Sequence, residues 1–73
     1  MEKTIYSKLY KRIIKRLVQA REDVGLTQMQ VAKLLGKYQS FISKCESGER
    51  RVDIAELKII SKIYKKPMSF FVD

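Results

Sequence analysis

The chain has 73 residues, of which 45% are hydrophobic and 33% charged. This length allows one small domain, and the hydrophobic fraction excludes a disordered chain, which lacks apolar residues to bury. The 16 Lys and Arg against 8 Asp and Glu give a net charge of +8, which favours nucleic acid as a partner. An anionic membrane is the rival, but no predicted helix stays open on its apolar side once the core is filled.

The chain lacks residue types that several classes of functional site require. Cys45 is the only cysteine and there is no His, so we expect no intramolecular disulfide, no metal site and no cofactor. An enzyme is disfavoured, because there is no glycine-rich phosphate loop and Cys45 has no His partner. We find no signal-peptide pattern and no apolar run of about 18 residues. We therefore expect a cytoplasmic protein without a membrane segment or an evident small-molecule ligand.

The first predicted helix covers about residues 4–24 and ends at Gly25. Its apolar positions recur at spacings of three and four, which predicts one buried face. That face is formed by Tyr6, Leu9, Ile13, Leu17, Ala20 and Val24. The opposite side is basic, and it is either a solvated surface or a contact with DNA phosphates. Its members are Lys8, Lys11, Arg12 and Lys15, with Gln19.

Residues 27–48 predict two short amphipathic helices joined by a tight turn, which is a helix-turn-helix motif. Thr27 fits the N-cap of helix 2, and Gln30 three residues later completes a capping box. Gly36 ends helix 2, since glycine adopts the left-handed conformation at little cost. Helix 3 is predicted over residues 39–47 with Gly48 as its C-cap. Its inward-facing candidates are Phe41, Ile42 and Cys45.

The rest of the chain predicts a fourth helix and a short fifth one. Asp53 fits the N-cap of helix 4 and Glu56 completes its capping box. Pro67 fits the first position of the last helix. Residues 68–72 are very apolar for a chain end, so we expect this segment to dock against something. The whole pattern predicts one all-α domain over residues 1–73.

One set of residues in a fixed order identifies a family more specifically than any dipeptide within it. Its members are Arg21-Glu22, Gly25-Leu26-Thr27-Gln28, Val31-Ala32, Leu35-Gly36, Gln39-Ser40, Ile42-Ser43, Glu46, Gly48 and Arg50. The set resembles the phage repressor and Cro-type helix-turn-helix family, often called XRE-like. This resemblance covers about residues 9–71. It implies a compact five-helix bundle of the lambda-repressor-like type and a transcriptional regulator, often dimeric on palindromic operators.

The same resemblance implies which side chains face DNA. Base contacts are expected from helix 3, where Gln can pair with adenine and Lys with guanine, at Gln39, Ser40, Ser43 and Lys44. Phosphate contacts, which set the register on the duplex, are expected from Gln28, Lys37, Tyr38, Ser47, Arg50 and Arg51. Arg21 and Glu46 match a structural ion pair between helices 1 and 3.

Two features, the turn residues Lys37-Tyr38 and Cys45, depart from the family pattern. Lys37-Tyr38 at the turn is bulkier than usual, which predicts that Tyr38 does not cap helix 3. Cys45 replaces a larger apolar residue. We interpret it as a small buried hydrophobe rather than a redox sensor, because burial raises the pKa of a thiol and shields it.

The leading hypothesis is a transcriptional regulator that docks helix 3 in the major groove of a palindromic double-stranded DNA operator. A homodimer built on residues 63–73 would place two copies of helix 3 about 34 Å apart. Its predicted contacts are Ile63, Met68, Phe70 and Phe71, because a small core cannot easily hide two adjacent Phe residues at a chain end. The alternative is an antitoxin-like protein-interaction module whose DNA binding is secondary, which the same apolar segment favours.

Overall fold

The computed structural model describes the backbone of residues 2–72 and the side chains of residues 7–72, and this part contains five α-helices and no strand. The helices are α1 (Glu2–Asp23), α2 (Gln28–Leu35), α3 (Gln39–Ser47), α4 (Ile54–Ile63) and α5 (Met68–Val72). The predicted all-α class is therefore confirmed. The Tyr6 side chain and Asp73 lie outside the described residues. Within the described part, no helix is long and apolar enough to cross a membrane.

Caps encoded in the sequence fix the ends of the helices. The Gln30 N–H donates to Thr27 Oγ1 at 3.1 Å, and the Thr27 N–H donates to Gln30 Oε1 at 2.9 Å. Asp53 and Glu56 form the same reciprocal box at α4, at 2.7 and 3.1 Å. Gly36 has φ 69°, a left-handed conformation that ends α2 and keeps the turn before α3 short. The predicted boxes are confirmed.

The start of α5 differs from the prediction by one position. Pro67 precedes the helix, and its carbonyl accepts the Phe70 N–H at 3.0 Å. Pro67 therefore stands at the N-cap rather than at the first helical position. The fixed φ of proline suits both positions.

A single hydrophobic core is shared by all five helices, with α2 packed on α3 and α1 packed on both α3 and α5. Ala32 is 2% exposed, and its small side chain lets α2 approach its neighbours closely. The buried members are Leu17, Ala20, Val31, Ala32, Ile42, Leu57, Ile60, Tyr64 and Phe71.

The C-terminal helix docks on its own chain, which corrects the predicted place of Phe71 at a dimer interface. Phe71 is 0% exposed, so it has no surface left for a second copy. The half-buried Phe70 ring lies between two cations, with Arg16 Cζ 4.9 Å and Lys66 Nζ 4.7 Å from its centroid. Arg16 also donates to the Phe70 carbonyl at 3.0 Å. The other two predicted contacts are partly buried against the same core; they are Ile63 and Met68.

Candidate nucleic-acid interface

The polar residues predicted to contact bases share the solvent-facing side of α3. Its inner side is formed by Ile42 and Cys45, which are 2% and 3% exposed. The only acidic residue of α3 is Glu46, and it turns inward. The exposed face therefore bears neutral polar groups and one cation, without a carboxylate to repel phosphates. Its members are Gln39, Ser40, Ser43 and Lys44.

A chain of hydrogen bonds, here called the motif network, joins α1, α2 and α3 through Arg21, Gln28, Gln39 and Glu46. Arg21 Nε and Nη2 donate to Glu46 Oε2 and Oε1, at 2.7 and 3.2 Å. Gln28 Nε2 donates to the same Glu46 Oε1 at 2.8 Å. Gln39 Nε2 in turn donates to Gln28 Oε1 at 3.4 Å. The first residue of α3 is thereby tied to an ion pair at the other end of the helix.

The ion pair within the network is largely shielded from water. The side chains of Arg21 and Glu46 are 13% and 8% exposed. Arg21 Nη1 also donates to the Leu26 carbonyl at 2.8 Å, so the guanidinium fixes the chain just after α1. The hydrogen bond to Glu46 raises the pKa of Arg21, outweighing burial, which lowers it. Because the pair is shielded, removal of either partner leaves a desolvated charge.

The loop between α3 and α4 is held by a second ion pair that sequence reasoning missed. Arg50 Nη1 and Nη2 donate to Glu56 Oε1 and Oε2, both at 3.0 Å. The Arg50 Cζ lies 4.4 Å from the Phe41 ring centroid, and Nη1 donates to the Arg51 carbonyl at 2.7 Å. The guanidinium holds the pKa of Glu56 below its ordinary value. Arg50, expected at a phosphate, is thus engaged by its own chain.

The other residues predicted to contact phosphate lie on the surface around α3. Tyr38 is 85% exposed, and as the N-cap of α3 it makes no side-chain cap bond, as the sequence indicates. Lys37 is exposed beside it. The Ser47 hydroxyl donates to a carbonyl of its own helix at 3.1 Å. Arg51 Cζ lies 5.0 Å from the Tyr10 ring centroid, so α1 contacts the loop between α3 and α4.

Cys45 is a buried residue of the α3 inner face and not an exposed thiol. It is 3% exposed, and burial raises the pKa of its thiol. A protonated, shielded thiol is a poor nucleophile. The structure agrees with the interpretation of Cys45 as a small hydrophobe.

Comparison with known proteins identifies the family. Residues 17–71 match the family model HTH_3, described as Helix-turn-helix. No curated protein and no solved structure matches the chain. The family match covers most of the chain and includes both helices of the motif and the whole motif network. The chain therefore belongs to the XRE-type helix-turn-helix family and is a DNA-binding transcription regulator.

Proposed function

We propose that the protein binds specific double-stranded operators with α3 in the major groove. The observation that supports this most strongly is the exposed face of α3, which is polar, lacks a carboxylate and is fixed by the motif network. Glutamine and lysine are suited to adenine and to guanine O6 or N7. The side chains assigned to base contacts are Gln39, Ser40, Ser43 and Lys44.

Gln39 contacts the motif network through a long hydrogen bond of 3.4 Å. One of its amide N–H groups donates to Gln28, which leaves its carbonyl oxygen and its second N–H for a base edge. Gln28 is itself held by Glu46. A side chain ordered in the free protein loses less rotamer entropy on binding. The network therefore supports Gln39 as the principal reader.

We assign phosphate contacts to the exposed residues Lys37, Tyr38 and Arg51, which surround α3. Arg50 and Ser47 are engaged within the chain, so we assign them to holding the loop and the end of α3. We assign Gln28 two roles, in the motif network and at a phosphate. One of its N–H groups donates to Glu46, and the other can donate to a phosphate oxygen. Phosphate contacts position the protein on DNA but carry no sequence information.

We further propose a homodimer that uses an apolar face beside α5. Ile54 is 72% exposed, while Leu9 and Val72 are 46% and 48% exposed. These three line a mostly apolar groove of about 270 Å³. A face that offers both an exposed aliphatic side chain and a groove can pair with its own copy about a twofold axis. A palindromic operator requires that symmetry.

The alternative function, an antitoxin-like interaction module, loses its main support. It was favoured by the apolar C-terminal segment, but Phe71 is buried and Phe70 is covered by two cations of its own chain. A protein partner would have to use the exposed face of Leu9, Ile54 and Val72 instead. The oligomeric state in solution distinguishes the two functions.

Selection from a random duplex pool tests the regulator directly. We expect enrichment of a palindrome whose half-sites are about one helical turn apart. No enrichment would contradict specific binding, whereas a single enriched half-site would contradict only the dimer. Ile54→Glu should give folded monomers by sedimentation, because the side chain is exposed and an acidic residue suits the first turn of a helix. A dimer that persists in Ile54→Glu would refute the proposed interface.

A further inference from the structure

A cleft of about 270 Å³ lies between α1 and the end of α3. Lys11 from α1 and Arg51 from the loop line it together with Ser7, and none of the lining residues is acidic. Two cations and a hydroxyl are the groups that commonly bind a phosphodiester oxygen. The functions assigned above use Arg51 but leave the α1 side of this cleft unexplained.

Tyr10 fixes the loop between α3 and α4, which forms one side of the cleft. Its hydroxyl accepts the Val52 N–H at 3.0 Å and donates to the Arg50 carbonyl at 3.3 Å. These two backbone groups flank Arg51 in the chain, and the Arg51 Cζ lies 5.0 Å from the Tyr10 ring centroid. One side chain of α1 therefore fixes the backbone on both sides of Arg51 and contacts its guanidinium.

Gly48, at the end of α3, also lines the cleft in a constrained backbone conformation. Gly48 lines it with φ 88°, and a Cβ built there would lie 3.2 Å from Ile14 Cδ1. A larger residue would be strained in this backbone conformation, and its Cβ would lie in tight contact with the Ile14 side chain. The absence of a side chain at Gly48 thus allows the end of α3 to lie close to Ile14 of α1.

We propose that this cleft binds a backbone phosphate of duplex DNA, between Lys11 and Arg51, with Tyr10 as the positioning residue for Arg51. The proposal rests on the proposed function and adds α1 to its contact surface. Because the loop is ordered before binding, the phosphate enters a formed site and little loop entropy is lost. The contact adds affinity for every duplex and no base preference.

The test measures binding of the full chain to its selected duplex and to an unrelated duplex over a range of salt. Lys11→Ala should weaken both by a similar factor, roughly 3- to 10-fold, and lower the slope of log affinity against log salt by about one. Lys11→Arg should restore the slope. Lys58→Ala is the matched control, since it removes the same charge from an exposed position of α4 outside the cleft.

Tyr10→Phe tests the positioning role separately, because it keeps the ring and the net charge but removes both hydrogen bonds. We expect roughly 2- to 5-fold weaker binding to both duplexes, measured where the variant is fully folded, and faster exchange of the Val52 amide hydrogen. Ser61→Ala is its control, since Ser61 donates only within α4, to Lys58 at 2.7 Å. Unchanged affinity in Tyr10→Phe would overturn the positioning role.

The outcomes separate this inference from the proposed function. If Lys11→Ala and Lys58→Ala change the salt slope alike, Lys11 acts only through net charge and the cleft is not a phosphate site, while operator binding stands. A wild-type chain that binds no duplex overturns the proposed function and the cleft together. A slope lowered by Lys11→Ala alone supports the site.

Discussion

Two arginine–carboxylate pairs hold the two regions that flank the exposed face of α3, and they differ in burial. The motif network contains Arg21 and Glu46, whose side chains are 13% and 8% exposed. The loop pair of Arg50 and Glu56 has side chains 40% and 25% exposed. Their geometry is similar, since both guanidinium groups donate two hydrogen bonds to one carboxylate.

Because the two ion pairs differ in burial, we expect them to differ in their contribution to the stability of the fold. A shielded pair is costly to break, because the remaining charge cannot regain its hydration. An exposed pair contributes little to stability, since water replaces the lost partner. The side of the molecule that carries the proposed base contacts is thus coupled to the stability of the fold through the motif network. The loop between α3 and α4 is held by the less buried pair, so we expect substitutions there to cost less stability than substitutions in the motif network.

Glu46→Ala should have the largest effect. It leaves Arg21 shielded without its partner and removes the acceptor of Gln28, so the free energy of unfolding should fall by roughly 3 kcal/mol. Denaturant unfolding measures the loss, with Glu49→Ala as a control at an exposed acidic residue. A variant that melts like the wild type would show that the burial difference between the two pairs has no energetic consequence.

The second prediction concerns DNA and separates the two regions by what they recognise. Gln39→Ala, on the network side, should cost roughly 1–3 kcal/mol on the preferred operator and relax the preference at one base pair. Arg51→Ala, on the loop side, should weaken binding to all sequences and lower the salt slope by about one. Binding to a panel of single-base operator variants distinguishes them. Equal weakening of all duplexes by Gln39→Ala would mean that α3 is not the reader.

The parts of the fold that depend on near neighbours in sequence were predictable. The capping boxes of Thr27 with Gln30 and of Asp53 with Glu56 follow from a spacing of three residues. The α3 boundaries followed from apolar spacing and a terminal glycine. The contact between Arg21 and Glu46 is expected from the family resemblance and from the inward-facing neighbours of each residue, because no local rule pairs residues this far apart.

The parts that were missed depend on long-range packing. Phe71 is expected at a dimer interface but is buried in the core of its own chain, and Arg16 donates a hydrogen bond to the Phe70 carbonyl, 54 positions away. Tyr10 reaches the loop across 40 and 42 positions, and no periodicity marks such a residue. The base contacts on α3 and the dimer remain predictions, because they involve DNA and a second chain.

Glu56→Gln should have the smallest effect and tests the exposed pair alone. The amide oxygen of Gln can still accept the Asp53 N–H, so the capping box is kept while the charge facing Arg50 is lost. We expect a stability loss of less than about 1 kcal/mol at neutral pH. The loss should shrink as salt is added, because the pair is open to solvent.

The pH dependence of the stability loss in Glu56→Gln tests whether the charge of Glu56 causes it. Arg50 lowers the pKa of Glu56 from its ordinary value of 4.5, so the folded state binds this proton less readily than the unfolded chain does. The pair therefore stabilises the fold fully above about pH 4.5, and the contribution disappears as the pH falls through the lower folded-state pKa. Wild type and Glu56→Gln should differ in unfolding free energy at neutral pH and converge in acid. If the difference in unfolding free energy stayed constant across this pH range, Glu56→Gln would act through the shape of the amide and not through the lost charge. The difference between the two ion pairs would then reflect the packing around them and not their electrostatics.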